Sequence, residues 1–338
     1  MLKIRAFTNS SGSAWWRLES VARHVNLNTE HEFLCFNAKQ WTGDILDGDI
    51  IIFQMVINPD AISDAQSRGA KVIYEMDDLL TEKVGREEIN DDDRYVSGMT
   101  ESIKRADMVT TTTQVLADKV KHLNDNIVVL PNYIDLSWWG DMARVKRNDE
   151  IRIGWAGGIS HRADLIYIKP VVKRILEEYD NTHFVYCGAG GVSSASMSTE
   201  LMYGEDLFKG IPGNRRDMYL GTSTDLWGIK SKTLYFDIAI APLINDNFND
   251  CKSNIKWQEY SMNGWAGVYS DEPPYSDITH ALKAKTPDEF YKQIKYLIEN
   301  PEKRAELALK SRADVIKNWT LDMNYPKYVE AYKKCLNQ

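Results

Sequence analysis

The segment Phe236-Asp237-Ile238-Ala239-Ile240-Ala241-Pro242 is followed by Asp250-Cys251-Lys252-Ser253-Asn254-Ile255-Lys256-Trp257-Gln258-Glu259-Tyr260 and then by Ala266-Gly267-Val268-Tyr269-Ser270. The outer runs are short and apolar, and the first reads as a buried strand closed by a proline. Between them lies a stretch with helical spacing, predicted over about 252–263. A strand, a helix and a second strand in that order make a parallel pair, because a parallel connection needs a long crossover. On such a helix Lys252, Lys256 and Glu259 sit at i, i+4 and i+7, on one face. Two ammonium groups beside a carboxylate suit a pyrophosphate with a ribose or sugar next to it. The same spacing also fits a solvated face with an ordinary Lys256–Glu259 pair, worth only about 0.2–0.5 kcal/mol.

Reading outward, the alternation of strand and helix extends in both directions. Upstream come a strand at 151–155, a helix after His161, a strand at 183–187 and a Gly/Ser-rich loop at 188–196. Before them, strands are predicted at 2–7, 32–36, 49–55, 70–75, 108–111 and 127–130. Helices are predicted at 14–25, 59–68, 95–106 and 114–123, with an acidic loop near 85–94. Downstream, everything from Pro287 on reads as helix. Strands alternating with helices predict α/β architecture with parallel sheets covered on both faces. The polar stretch 140–150 interrupts the pattern. The expected division is therefore a Rossmann-like domain over 1–140, a linker over 141–150, a second Rossmann-like domain over 151–315 and a closing helix over 316–338.

Composition narrows the class. Of 338 residues, 43% are hydrophobic and 27% charged, a globular balance. Apolar runs such as Ile50-Ile51-Ile52-Phe53 fall well short of the roughly 18 residues of a membrane span. The start MLKIRAF lacks a long apolar core, so the chain is expected to stay in the cytoplasm where it is made. The four cysteines, Cys35, Cys187, Cys251 and Cys335, have no C-x-x-C spacing, and the six histidines show no ligand spacing. Residues 1–150 carry 17 basic against 25 acidic side chains, whereas the remainder is balanced. An acidic first half is a poor surface for a polyanion, which demotes nucleic acid as a partner.

Ligands in open α/β sheets bind beyond the carboxyl ends of strands, so the loops there hold the candidates. Gly154-Trp155-Ala156-Gly157-Gly158-Ile159-Ser160-His161 leaves a strand through glycines, with Ser160 placed to cap the next helix. Such a turn brings backbone amides close to a phosphate, although a glycine turn with a serine cap is also common without one. Its spacing is not G-x-G-x-x-G, which disfavours a dinucleotide enzyme. Tyr74-Glu75-Met76-Asp77-Asp78 runs a strand straight into two carboxylates, suited to a general base or to holding a hydroxyl, or simply to capping a helix. Ser10-Ser11-Gly12-Ser13-Ala14-Trp15-Trp16-Arg17 offers amides and a guanidinium to an anion, while its tryptophans fit a core equally well.

Two further stretches carry a family resemblance: Ala106-Asp107-Met108-Val109-Thr110-Thr111-Thr112-Thr113 with Leu116-Ala117-Asp118, and Val128-Val129-Leu130-Pro131-Asn132-Tyr133-Ile134-Asp135. They resemble the end of the N-terminal domain in GT-B-fold glycosyltransferases of the retaining family 4 type, whose "PN-x-(I/V)-D" turn precedes the interdomain linker. Residues 154–164 resemble the first donor-side loop and 237–270 the signature region, so the likeness runs through nearly the whole chain in order. It is nearest the divergent phage and bacterial branch with "DD" after the fourth strand and "KS-x-x-K-x-x-E-Y" in the signature helix.

The resemblance implies a GT-B fold, two Rossmann-like domains whose parallel sheets face a central cleft, with C-terminal helices crossing back to the first domain. It implies a retaining glycosyltransferase that uses a nucleoside diphosphate sugar, a UDP-sugar first, with no cofactor or obligatory metal. Glu259 would hold the ribose as second glutamate of the E-x7-E signature, and Lys252, Ser253 and Lys256 would contact the diphosphate or sugar. Gly157, Gly158, Ser160, His161 and Arg162 would line the phosphate pocket, with Gly12 and Arg17 approaching the donor from the other domain. Asp77 and Asp78 would face the acceptor. Two departures stand out: Cys251 occupies the first signature glutamate's position, so that contact to the donor sugar is either missing or shifted to Asp250, and His161 or Arg162 stands where a lysine is usual. The acceptor is expected to be a glycan or small molecule. The alternatives are a hydroxymethylated base of phage DNA, with Arg17, Arg215 and Arg216 adding local positive charge, a sugar-nucleotide epimerase, or an inactive sugar-nucleotide-binding protein.

Overall fold

A computed structural model of the chain describes residues 1–9, 12–41, 48–85, 92–140, 149–188 and 205–338. Residues 141–148 of the expected linker, 86–91 of the acidic loop and 189–196 of the Gly/Ser-rich loop lie outside these. The chain divides into two units: Met1–Asp135, Asp250–Ser253 and Trp319–Gln338 form the first, Leu136–Asn249 and Asn254–Asn318 the second.

In the first unit, β1 (Lys3–Thr8), β2 (Glu32–Asn37), β3 (Ile50–Gln54), β4 (Lys71–Met76), β5 (Met108–Thr111) and β6 (Ile127–Val129) form one parallel sheet in the order β2-β1-β3-β4-β5-β6. All five residues of β3 are buried, as expected of a strand covered on both faces. Register aligns the carboxyl ends, Thr8 beside Gln54 and Gln54 beside Glu75. The helices are α1 (Ser20–Asn28), α2 (Pro59–Ser67), α3 (Asp93–Arg105) and α4 (Gln114–Val120). Asn58 caps α2 by accepting from the Ala61 amide at 3.0 Å, and Pro59 follows at the first helical position. The helix predicted over 14–25 forms within helical chain that runs from Gly12 to Asn28, and it widens in its middle. A short turn, Gly12–Ala14, leads into a π-helical turn, Trp15–Glu19, before α1 begins. The wider turn brings Arg17 and Leu18, adjacent in sequence, both into the interior.

In the second unit, β7 (Ile151–Gly157), β8 (Thr182–Gly188), β9 (Arg216–Leu220), β10 (Ile238–Ala241), β11 (Ala266–Ser270) and β12 (Leu282–Ala284) form a second parallel sheet in the order β12-β11-β10-β7-β8-β9. From β7 the chain adds β8 and β9 on one side, then returns to add β10, β11 and β12 on the other. The crevice between the ends of β7 and β10 is thus a topological switch point, where ligands bind in open α/β sheets. Its helices are α5 (Arg162–Glu178), α6 (Thr224–Lys230), α7 (Ile255–Met262), α8 (Pro287–Glu299) and α9 (Pro301–Asn318).

The last helix, α10 (Leu321–Leu336), belongs to the first unit. Leu321, Tyr328, Tyr332 and Cys335 join Ile4, Leu18, Val21 and Ile73 in its apolar core. Backbone bonds at 2.8 Å between Ile134 and Trp319 and between Leu321 and Ile134 fix where that return begins. Among the described residues no helix is long and apolar enough to cross a membrane.

Candidate functional site

The cluster at the switch point of the second sheet is built around the end of β7. A Cβ on Gly157 would lie 2.4 Å from Lys256 Nζ and 2.7 Å from the Trp155 ring, so a bare backbone is what lets the lysine reach the strand end. A Cβ on neighbouring Gly188 would lie 2.4 Å from the Gly157 carbonyl, whereas one on Gly158 would meet open space. Lys256, in the first turn of α7, is buried. Its ammonium donates to the Ala156 carbonyl at 2.8 Å and lies 5.1 Å from the Trp155 ring centroid. One turn on, the Tyr260 hydroxyl accepts from the Ala156 amide at 3.2 Å.

Glu259 shares this helix and is also buried. Burial pushes its carboxyl up to about 7, against the opposing pull of the Lys256 charge and of a hydrogen bond from Trp227. That bond, from the Trp227 indole N–H to Oε1 at 3.0 Å, brings in a residue of α6 that sequence reasoning missed. Residues 224–230 carry no glycine turn or charge pattern to draw attention, and a tryptophan after Thr224-Asp225 is the only signal there.

His161 closes the 3₁₀ turn Ile159–His161 that leads into α5. Its ring is buried, edge-on to Trp155 at 5.9 Å, with Nδ1 2.7 Å from Asp164 Oδ2. The N-cap position of α5 falls on His161, one residue after Ser160, and the His161 side chain makes no cap bond. Ser160 and Arg162 are half-buried at this turn.

The helix predicted over 252–263 starts later than expected, and this overturns the one-face arrangement. α7 begins at Ile255, so Lys252 and Ser253 lie in irregular chain before it and belong to the first unit, while Lys256 and Glu259 belong to the second. Asn132 Nδ2 donates to Ser253 Oγ at 2.9 Å, and Thr113 Oγ1 donates to the Cys251 carbonyl at 3.0 Å. Lys252 Nζ lies 3.3 Å from Asp78 Oδ1. Asp250 is half-buried at the end of the short turn Asn247–Asp250. Cys251 is fully buried, and burial pushes its thiol up to about 12, which makes it a packing group.

Beyond β4 of the first unit, Asp77 and Asp78 are half-buried neighbours. Burial, with the charges of Asp78 and Glu75 adding to it, raises the Asp77 carboxyl to about 7, while Arg17 and Lys252 pull it down. Arg17 is not where the resemblance puts it. The side chain is enclosed within the first unit, its Nε 2.7 Å and its Nη2 3.3 Å from the two oxygens of Glu75. Its Nη1 donates to the Leu130 carbonyl, to Asn132 Oδ1 and to the Tyr328 hydroxyl at 2.6, 3.0 and 3.3 Å. Thr110 donates to the same Glu75. A guanidinium so enclosed is a structural cation, not one that approaches a donor. Gly12 is exposed at the start of the first helical turn.

Arg215 and Arg216 do not supply a basic track either. Arg215 donates to the carbonyls of Thr182 and Tyr179 at 2.9 and 2.7 Å, and Arg216 to those of Phe208 and Ile211 at 3.1 and 3.2 Å. Among the described residues no group of three or more His, Cys, Asp or Glu side chains is placed to hold a metal ion.

No family model and no curated protein matches the sequence. Solved structures do. An Anabaena HepE in complex with UDP and glucose aligns with a TM-score of 0.69 at 12% identity, over 98% of this chain and all of that one. A glycosyltransferase from Rickettsia africae aligns at 0.70 and 14% identity, over 100% of this chain and 99% of that one. S. aureus TarM in complex with UDP aligns at 0.62 and 13% identity over 86% of this chain, which spans only 55% of TarM's length. Identities this low define architecture: the chain has the GT-B fold, two parallel α/β sheets of six strands each among its described residues.

Proposed function

We propose that this protein is a glycosyltransferase that moves a sugar from a nucleoside diphosphate sugar, a UDP-sugar first, to the hydroxyl of a glycan or small molecule. The observation that carries this is the cluster at the switch point of the second sheet. A glycine-walled strand end, the Lys256 ammonium, the His161 ring at a helix start and the Glu259 carboxylate stand where such sheets take phosphates. Structures of the same fold were solved with UDP and glucose and with UDP-glucose.

In this reading Lys256 and the amides of the turn after β7 stabilise charge growing on the leaving diphosphate, the largest electrostatic demand of the reaction. Glu259, held by Trp227, receives a ribose hydroxyl. Asp77 and Asp78 serve the acceptor, and a carboxyl near 7 is suited to take up a proton from its hydroxyl. Transfer proceeds with retention and without an obligatory metal. Arg17, Arg215 and Arg216, on which a DNA acceptor would lean, are bonded within the protein.

Thermal shift against UDP-, GDP-, ADP- and TDP-sugars tests the reading. A bound nucleotide at about 100 times its dissociation constant adds about 2.7 kcal/mol of stability. Stabilisation by one nucleotide class, with turnover unaffected by a chelator once an acceptor is supplied, is the expected result. No stabilisation by any of the four at millimolar concentration would reject it.

A further inference from the structure

Lys252 carries no role so far, and the structure builds it into the first unit. The residues on either side of it are fastened there. Thr113, whose Oγ1 accepts from the Leu116 amide at the start of α4, donates to the Cys251 carbonyl at 3.0 Å. Asn132, which accepts from Arg17, donates to Ser253 Oγ at 2.9 Å. The lysine side chain thus starts from a fixed stretch of backbone, and its ammonium ends 3.3 Å from Asp78 Oδ1. Only 13% of that side chain is exposed, so salt and solvent screen its charge less than they would on an open surface. Thr112 Oγ1 donates to the Asp77 carbonyl at 3.4 Å, which holds the loop after β4 from the side of β5.

The charges around this loop give its two carboxyls different work. Asp77 is faced by Asp78 from its own loop, by Glu75 from the end of β4, by Arg17 from the π-helical turn, by Tyr95 from the first turn of α3 and by Lys252. Burial and the charges of Asp78 and Glu75 raise its carboxyl to about 7, while Arg17 and Lys252 pull it down. Of the two cations that act on Asp77, Arg17 is paired with Glu75 and Lys252 with Asp78. Resting on the transferase reading above, we propose that Lys252 is a positioning residue of the acceptor side, which holds Asp78 as a fixed charge and leaves Asp77 to take the proton of the acceptor hydroxyl. As the acceptor oxygen bonds to the anomeric carbon, its proton passes to the Asp77 carboxylate. The bond from that carbon to the diphosphate oxygen breaks, and its electron pair leaves on the diphosphate. Lys252 offsets the charge of Asp78, which would otherwise keep Asp77 protonated and unable to accept.

Titration of the Asp77 carboxyl in ¹³C-aspartate-labelled protein, with no ligand present, tests this. Its signal is the one lost in Asp77→Asn, and the wild-type midpoint is expected at about 7. Lys252→Met keeps most of the stem and removes the charge, so the midpoint rises by about one pH unit or more. Asp78→Asn removes the opposing charge, so the midpoint falls by about as much. Lys252→Arg keeps the charge and stays near wild type. A midpoint unmoved by Lys252→Met, or moved in the same direction by Lys252→Met and Asp78→Asn, would overturn the proposal. If Lys252→Met does not fold, Asp78→Asn decides, and a midpoint that fails to fall there overturns it. By calorimetry Lys252→Met binds UDP as wild type does; a loss of about tenfold or more would return the lysine to the donor and overturn the proposal. A wild-type protein that ignores UDP rejects the transferase reading, while the midpoints still decide where Lys252 acts.

Discussion

The two sheets present opposite chemistry beyond the carboxyl ends of their strands. In the first unit Glu75, Asp77 and Asp78 gather at the end of β4, and the nearby arginine is drawn inside to neutralise the deepest of them. In the second, Lys256 and His161 gather at the end of β7 around glycines that keep the backbone bare. A cation enclosed by a carboxylate, two side-chain oxygens and a carbonyl is part of the architecture. A cation laid along a strand end at a switch point is, in the proposed reading, the one that meets the donor's diphosphate. The contrast teaches that an arginine and a lysine equally eye-catching in the sequence have different work, decided by what surrounds each.

That contrast is sharpest in Arg17→Ala, which leaves the Glu75 carboxylate buried without its counter-ion. Loss of a buried partner costs about 3–5 kcal/mol, so urea unfolding should show a large drop in stability. A stable variant that has instead lost UDP affinity would break the comparison. Next in size are Lys256→Ala and Glu259→Ala. Each stays folded and loses about 1.5–3 kcal/mol of UDP binding by calorimetry; unchanged affinity in both would sink the assignment of the site. Gly157→Ala must displace both the lysine head and an enclosed indole, and is expected to cost about 1–3 kcal/mol of stability. Gly158→Ala, facing open space, stays within about 0.5 kcal/mol. Equal thermal unfolding of the two would show that the strand end is not tightly built.

A pH dependence separates the two sites further. Asp77 and Glu259 have native values near 7 against ordinary values of 3.8 and 4.5. The stability tied to their neutral forms is fully present below those ordinary values and lost as pH rises through 7. Asp77→Asn and Glu259→Gln should therefore raise the melting temperature relative to wild type at pH 8 and leave it nearly unchanged near pH 4. A difference that does not grow with pH would mean these carboxyls titrate normally.

Much of the fold is legible in the sequence because its central strands are dense in β-branched residues. Ile50-Ile51-Ile52 and the run from Met108 to Thr111 mark strands that the structure places inside one sheet. The edge strands β9 and β12 escape notice for the converse reason. Arg216-Asp217 and Leu282-Lys283 are half-buried and carry no continuous apolar run. The late start of α7 has a readable signal: Ser253-Asn254 are helix-start residues, and Asn254 occupies the N-cap position. The fate of Arg17 has no local signal. Its partner Glu75 lies 58 residues away, and the π-helical turn that swings it inward leaves no pattern in the residues around it. Trp227 is hidden in the same way, since its partner Glu259 lies 32 residues further along the chain.

The membership of α10 in the first unit has a consequence for how the chain acquires its shape. Residues 321–335 supply part of the apolar core against which α1 and the strands of that unit pack, so that unit is left open along one side until α10 emerges from the ribosome. The second unit lies in between in sequence, and nearly all its strands and helices are contiguous. It can close while the first still waits, and the order of folding then runs opposite to the order of synthesis. During that interval Arg17 and Glu75 lack Tyr328, and the unit that begins the chain is the last to become dry inside.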